Sequence, residues 1–383
     1  MTVVFWILVG IIFYSYIGYG LMIIGLSRLA GRRREHPAPV PQRATLLIAA
    51  YNEAGGIGQK IENALSLATG IHTLEIVVAS DGSTDGTADI AHGYEQRGVR
   101  VVEVKEHYGK AFALNQALSE INSDVVIFSD ANSTIEAQAI VRLLDHFADP
   151  DVGGVCGSLG VPERSQSWLA RGERLYWRYD HALKKAESAL AGAVSAQGSL
   201  YAIRRSLIKP IPSAVADDLI SSLRVVDEGK RLVFEPGAQV FEAVTNHTGS
   251  EFGRRVRSTE RGWRGLMSMA RLMNPGRTGF YALQLFSHKA LRRLVPFLAV
   301  LLVFVSVMTM QEGWIYVLAA GLQILFFVLA FIGWRAKGRV GSWASVPFFI
   351  VMGNTAMMVG VINVLRGKRS SVWTPARISV EEA

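Results

Sequence analysis

Residues 75–91, EIVVASDGSTDGTADIA, run from a β-branched apolar strand into two carboxylates and two glycines, then into a helical pattern. Asp81 and Asp85 thus fall at the carboxyl end of a strand, where open parallel sheets bind ligands. The same Gly-Ser-Thr-Asp composition is good turn chemistry, with Asp85 suited to cap the following helix, so the turn alone leaves both readings open. Three more polar clusters interrupt apolar runs: IAAYNEAGG at 48–56, FSDANS at 128–133 and VADDL at 215–219. The last two have a bland reading too, Asn132 as a helix cap and Asp217-Asp218 as a helix start favoured by the helix dipole.

Strand and helix patterns alternate around these clusters. Strands are expected over 44–50, 74–79, 99–104 and 125–129, and helices over 57–68, 87–96, 111–121 and 137–147. Near-continuous apolar strands alternating with helices predict a parallel sheet covered on both faces, and a nucleotide-binding α/β domain follows naturally. After about residue 150 the pattern loosens. Residues 165–190 read as a long aromatic and basic helix, either lining an acceptor path or packed through Trp168, Leu175 and Tyr179. Over 251–271, Phe252, Val256, Trp263, Leu266 and Ala270 form one stripe, while Arg254, Arg257, Arg261 and Arg264 form another. One greasy and one cationic face predict a helix along the cytosolic interface, or arginines reaching a diphosphate.

Half of the 383 residues are hydrophobic and the net charge is +8. The mean hydropathy of +0.25 is too high for an ordinary soluble chain. Residues 2–27 carry no charge and are followed by Arg28, Arg32, Arg33 and Arg34. That pattern predicts a signal anchor (1–28) with its amino terminus outside, then a proline-rich linker (29–43) and a cytosolic domain. Uncharged runs at 294–311 and 313–334 predict a transmembrane hairpin. The third run, 340–365, is interrupted by Gly353-Asn354 and Gly360. It fits an interfacial or re-entrant helix better than a span, because spanning would put the cationic tail 366–383 outside. The whole is expected to be a multi-pass protein of the cytoplasmic membrane. Cys156 is the only cysteine, so an intramolecular disulfide or a cysteine zinc site is excluded. Positive charge beside apolar segments favours anionic lipid or a phosphorylated substrate, with no nucleic-acid partner. EAGGIG at 53–58 lacks the Gly-x-Gly-x-x-Gly spacing of a dehydrogenase.

Together the four clusters resemble the signature of family 2 glycosyltransferases, the GT-A fold enzymes that include cellulose, hyaluronan and poly-N-acetylglucosamine synthases. The resemblance covers roughly residues 44–270, and the flanking membrane segments match the membrane-bound branch. It implies a Rossmann-like, mostly parallel GT-A domain over 44–250, interface helices over 251–293 and a membrane hairpin over 294–334. By that resemblance Ala50, Tyr51, Asn52 and Glu53 cradle the base and ribose of a nucleotide sugar, and Asp81 contacts the base, usually uracil. Asp85 is similar to a second acidic position of that loop. Lys110 and Asn115 in YGKAFALN look like residues that hold the nucleotide; Lys110 also reads as a solvated lysine at a helix start.

Asp130 and Asn132 fall on the family's Asp-x-Asp, implying Mg²⁺ or Mn²⁺ bridging the diphosphate, although Asn132 brings no charge. Asp218 matches the general base that deprotonates the acceptor hydroxyl, with Asp217 beside it. Gln197, Gly198 and Arg204 in SAQGSLYAIRR resemble an acceptor-lining strand. Processive members carry Gln-x-x-Arg-Trp on the interface helix. Here Arg257 takes the arginine place, but Arg254 and Ser258 replace Gln and Trp, leaving Trp263 as the nearest tryptophan. SVWTPAR at 371–377 resembles a gating tail whose Trp373 lies over the site. The resemblance implies an inverting transferase moving sugar from a UDP-sugar to a growing polysaccharide. The alternatives are single addition to a lipid or lipid-linked acceptor, and a polysaccharide transport subunit with an inactive domain. Partner subunits are left open.

Overall fold

The computed structural model describes residues 1–30, 43–68, 74–160, 170–242, 248–336 and 341–368. The linker, Trp168 and the tail with Trp373 lie outside them. β1 (Ala44–Ala50) is buried along its whole length, which is what a strand of Leu, Ile and Ala requires when both sheet faces are covered. It stands between β2 (Leu74–Asp81) and β4 (Val125–Asp130), parallel to both, and β3 (Val99–Val104) extends the parallel set. The full order is β3-β2-β1-β4-β7-β6-β8-β5.

Chain order reverses at β1, so the crevice outside the carboxyl ends of β1, β2 and β4 is the switch point where such sheets bind ligands. Register makes those ends level. Ala50 pairs with Ser80 and Ala49 pairs with Asp130, bringing Asp81 and Asp130 to either side of the β1 loop.

The other half of the sheet is mixed, while parallel pairings remain the majority over the whole sheet. β7 (Leu200–Arg204) runs antiparallel to β4 and to β6 (Val152–Gly160). β8 (Arg231–Glu242) is parallel to β6, and β5 (Ser133–Ile135) antiparallel to β8. Ile57, Ile61 and Ala64 of α2 (Ile57–Ala68) pack on one sheet face. Ala113, Leu114 and Ala117 of α4 (Lys110–Glu120), the helix after α3 (Thr87–His92), pack on the other. Each fully buried Ile or Leu contributes about 1.5–3 kcal/mol, so this three-layer core is the scaffold's main stabilisation. Two helices are shorter than expected. α3 stops at His92 because Gly93 and Gly98 punctuate the segment leading to β3, and α5 covers Ala139–Asp145.

Four helices are long and apolar enough to cross a membrane: α1 (Thr2–Ala30), α9 (Phe280–Met308), α10 (Trp314–Ala336) and Trp343–Leu365 within α11 (Ser342–Leu365). Phe5, Leu8, Val305 and Tyr316 knit the first three together. α6 (Ala170–Leu190) packs on α1 so closely that a Cβ on Gly20 would lie 2.5 Å from Tyr179 Oη. The glycines of the third apolar run do not break its helix. They admit α8 (Thr248–Ser268): a Cβ on Gly360 would lie 2.7 Å from Thr259 Cβ, and Asn363 donates to Glu260 at 2.6 Å. Val361 joins the core shared by Leu219 and Trp263. The greasy face of α8 is therefore covered by this chain itself, Phe252 meeting Phe348, Phe349 and Met352 and Leu266 entering the domain core, instead of facing lipid.

Candidate active site

Asp81 ends β2 fully buried. Its Oδ1 accepts from the amides of Tyr108 and Gly109, both at 3.1 Å, and His107 Nδ1 lies 2.9 Å from Oδ2 without completing a hydrogen bond. Burial pushes the Asp81 carboxyl above its ordinary range, against the pull of His107 and the two amides. The Tyr51 ring stacks on His107 with centroids 3.7 Å apart. A flat aromatic wall thus stands beside a buried carboxylate.

The β1 and β2 loops are laced together. Asn52, at φ 53°, accepts from the Thr84 amide at 2.8 Å, and the Glu53 amide donates to Thr87 Oγ1 at 2.8 Å. Asp85 accepts from the Ala54 amide and from Thr87. These bonds outweigh burial and hold its carboxyl below the ordinary range. Its oxygens are spent on the turn that starts α3, as the turn reading expects. Gly82 adopts φ +64°, and a Cβ there would lie 2.5 Å from the backbone of Glu106 and His107. Gly82→Ala is therefore expected to cost about 1–3 kcal/mol from backbone strain and to push away the turn that grips Asp81. A melting curve and a nucleotide titration check it.

Lys110 joins the two halves of the site. Its Nζ lies 2.7 Å from Asp130 Oδ1 at the end of β4 and 3.2 Å from Asp217 Oδ2 at the start of α7 (Asp217–Asp227). Burial would lower the lysine's pKa, but the two carboxylates raise it. Tyr201 Oη also donates to Asp217, at 3.3 Å. Asp218 accepts from the Leu219 amide at 2.7 Å and faces Gly198, where a Cβ would lie 3.6 Å from Oδ2. Burial, then the Asp217 charge, pushes the Asp218 carboxyl up to about 6, opposed by the Leu219 amide, Lys110 and Lys289. A cleft beside these groups is lined by Tyr108, Lys110, Ala214, Val215, Asp217 and Arg261.

Among the described residues no group of three or more His, Cys, Asp and Glu is arranged to hold a metal alone. Asp130 is nevertheless ringed by acids: burial and the Asp130 charge raise the carboxyls of Glu53 and Glu242. A hard cation coordinated by oxygen fits that surplus of carboxylates. Asn132 is exposed, one residue past Ala131 in the turn after β4.

Several expected residues are placed elsewhere. Asn115 bonds both backbone groups of Ile211, at 2.9 and 2.8 Å, so its amide is used in tying α4 to the 211 loop. Arg204 is taken up by the carbonyls of Val152, Phe147 and Asp149, at the opposite end of the sheet from the crevice. Trp263 is only 9% exposed and packs in the core, because the apolar stripe of α8 turns inward. Arg257 lies one turn before Arg261, and it is Arg261 that reaches the cleft. Gln197 accepts from Lys184 at 3.4 Å and, like Gly198, borders the Asp218 side.

Residues not singled out from sequence also converge. His107 stacks under Tyr51, and its place in EHYGK, three residues before Lys110, was the available signal. Lys60 is buried behind β4, donating to Ser129 Oγ, Ser133 O and Ser133 Oγ. Burial lowers it to about 7 against the opposing pull of Asp130 and Glu242. Nothing in the helical pattern of 57–68 marks it.

The description Glycosyl transferase family 2 matches residues 45–211. The chain carries a family 2 glycosyltransferase domain. Asp217 and Asp218 lie just beyond the matched span. A poly-beta-1,6-N-acetyl-D-glucosamine synthase of Staphylococcus aureus (strain MSSA476) is 27% identical over 225 residues, covering 57% of this chain and 54% of that protein. A probable glycosyltransferase, YdaM, of Bacillus subtilis (strain 168) is 29% identical over 233 residues, covering 55% and 52%. The chain thus spans about half the length of the curated relatives it matches. The mannosyltransferase PcManGT from Pyrobaculum calidifontis, solved with GDP-Man and Mn²⁺, superposes with a TM-score of 0.71 at 22% identity, over 96% of this chain and all of that one (100%). The fold of this family 2 domain is of the GT-A type, with apolar helices before and after it.

Proposed function

We propose that this chain transfers a sugar, with inversion, from a nucleoside diphosphate sugar to an acceptor hydroxyl at the cytosolic face of a membrane, extending a polysaccharide. The observation that carries the proposal is Lys110, whose ammonium ties the strand-end carboxylate Asp130 to Asp217, next to Asp218. The base would lie against the Tyr51–His107 stack, close to Asp81. Uracil and guanine both present a ring N–H that a carboxylate can accept, so Asp81 suits UDP-sugars and leaves GDP-sugars as second candidates.

The acceptor oxygen attacks the anomeric carbon as the bond to the diphosphate breaks. The hydroxyl proton passes to Asp218, and the nucleoside diphosphate leaves with the bonding pair. Asp130, with oxygens of the diphosphate, would hold Mg²⁺ or Mn²⁺, which neutralises charge on the leaving group. Lys110 and Arg261 add positive charge on the same side. Single addition to a lipid-linked acceptor is a second reading, favoured by the burial of Trp263, which leaves that tryptophan unable to stack on an acceptor sugar.

The base must be ionised to act. With Asp218 at about 6, transfer is expected to rise as pH climbs through about 6 and to level off above it. A pH–rate profile lacking that limb would count against Asp218 as the base. The direct test supplies labelled UDP- and GDP-sugars with Mn²⁺ to membranes containing the protein, then separates high-mass from solvent-extractable product. Label in a glycosidase-sensitive polymer supports polysaccharide synthesis; label in the solvent phase supports the lipid-linked reading. Absence of both, with chelator and Mn²⁺ arms indistinguishable, would defeat the proposal.

A further inference from the structure

Lys60 stands on the sheet-facing side of α2 among Ile57, Ile61 and Ala64, and only 3% of it is exposed. Packing alone would put another apolar residue there, because a buried ammonium is costly unless its hydrogens are all bonded. Its three hydrogens meet three acceptors: Ser129 Oγ at 2.8 Å, Ser133 O at 2.7 Å and Ser133 Oγ at 3.0 Å. These two serines bracket the turn that carries Asp130 and Asn132.

Since each hydroxyl accepts from the lysine, each keeps its own proton to donate. Ser133 gives it to the Asp130 carbonyl at 2.8 Å, and Ser129 gives it to the Ser199 carbonyl at 2.9 Å. Ser199 follows Gln197-Gly198, which border the Asp218 side. One ammonium therefore sets the bond directions of a buried network that joins the helix after the β1 loop, the Asp130 turn and the start of β7. One turn farther along α2, Asn63 makes a plainer tie, bonding both backbone groups of Ile135 on β5 at 3.0 and 2.9 Å. Helix and strand are thus already fastened, and what Lys60 adds is aimed at the turn itself.

We infer that Lys60 is a positioning residue for the cation and the diphosphate: it holds the 130–133 turn from behind, so that the Asp130 carboxylate stands where the metal is to be ligated. The inference rests on the proposed cation at Asp130 and names what orients that ligand. Charge alone predicts the opposite, since an ammonium behind Asp130 repels a second cation. The sign of the effect therefore separates positioning from electrostatics.

The test titrates Mn²⁺ into the full-length chain in nanodiscs at fixed UDP or GDP, whichever the wild type takes up, and reads nucleotide binding without turnover. Lys60→Met keeps the aliphatic stem and is expected to raise the Mn²⁺ midpoint about 10–100-fold, with metal-free nucleotide affinity unchanged. Ser133→Ala keeps the charge but removes the bonds to Lys60 Nζ and the Asp130 carbonyl. It should move the midpoint the same way by about fivefold, the worth of one hydrogen bond, and it carries the test should the methionine variant not fold. Asn63→Ala should lower the melting temperature and leave the midpoint in place.

A smaller binding amplitude at an unmoved midpoint would mean only a loss of folded protein. A lower midpoint in Lys60→Met would mean that the lysine acts by charge, and an equal rise in Asn63→Ala would mean general loosening of α2. Each of these overturns the inference. A wild type indifferent to Mn²⁺ would fail the cation reading of Asp130 and this inference with it, while the labelled-sugar assay judges transfer separately. A responsive wild type with unmoved variants would fail the positioning role alone.

Discussion

Asp218→Asn is expected to lower sugar transfer by about 10²–10⁴-fold, the usual worth of a positioned general base, with nucleotide affinity nearly unchanged. The amide keeps the carboxylate's shape and can still accept from the Leu219 amide, so geometry survives while basicity does not. Stability should move the other way. The Asp218 carboxyl sits at about 6, above the ordinary aspartate value of 3.8, so the folded chain holds that proton more tightly than the unfolded one. The stability linked to it is fully present below about pH 4 and lost as pH rises through about 6. At neutral pH a neutral Asn escapes that penalty, so the variant should melt no lower than wild type, with the difference closing in acid. Activity assays and melting curves on one preparation check both halves. A variant that still transfers sugar at more than about a tenth of the wild-type rate would remove Asp218 from the mechanism. The same variant separates an enzyme from a transport subunit, which should be indifferent to the change.

Lys110→Met is expected to be nearly as damaging, by about 10²–10³-fold in transfer, for a different reason. Methionine fills the aliphatic volume but leaves Asp130 and Asp217 facing one another without the ammonium between them. Removing one partner of a paired charge is costlier than never having had the pair, although the partial exposure of both carboxylates softens that cost. The charge of Lys110 also helps hold the Asp218 carboxyl down. Its loss should therefore shift the acid limb of the pH–rate profile to higher pH, a signature that simple loss of packing would not produce. A profile that falls in height without moving would show that Lys110 acts on the donor alone.

Much of this site was legible before the fold was known, because the informative signals are local. An apolar run closed by Asp81, and another closed by Asp130, state where a buried strand ends, and in a parallel sheet that end is where ligands sit. Asp217-Asp218 opens a helix for reasons equally local. The convergence of these segments is written in strand register, yet each polar end could be recognised without it. Asp85 shows the limit even here: its turn reading and its binding reading use the same atoms, and the bonds from Ala54 and Thr87 take up its oxygens.

The helices tell the opposite story. Periodicity located the stripe of Phe252, Trp263 and Leu266 but not what it would meet; a lipid surface and a protein core ask for the same residues. α11 and the domain core cover that face, which turns Trp263 inward and brings Arg261 to the cleft. Glycines at 353 and 360 read as breaks in sequence, whereas they give room for α8 to approach. Asn115 and Arg204 bond to distant carbonyls and amides, contacts that no spacing announces.

The sequence by itself therefore determined the domain type, the apolar helices flanking it, and the carboxylates that meet at the switch point, since a strand end, a helix start and a membrane-length apolar run are all set by neighbouring residues. The tertiary structure alone decided which face of α8 looks at the site and that Lys110 bridges Asp130 to Asp217. Those facts depend on how helices rotate and pack against partners more than a hundred residues away in some cases, and periodicity carries no record of the partner.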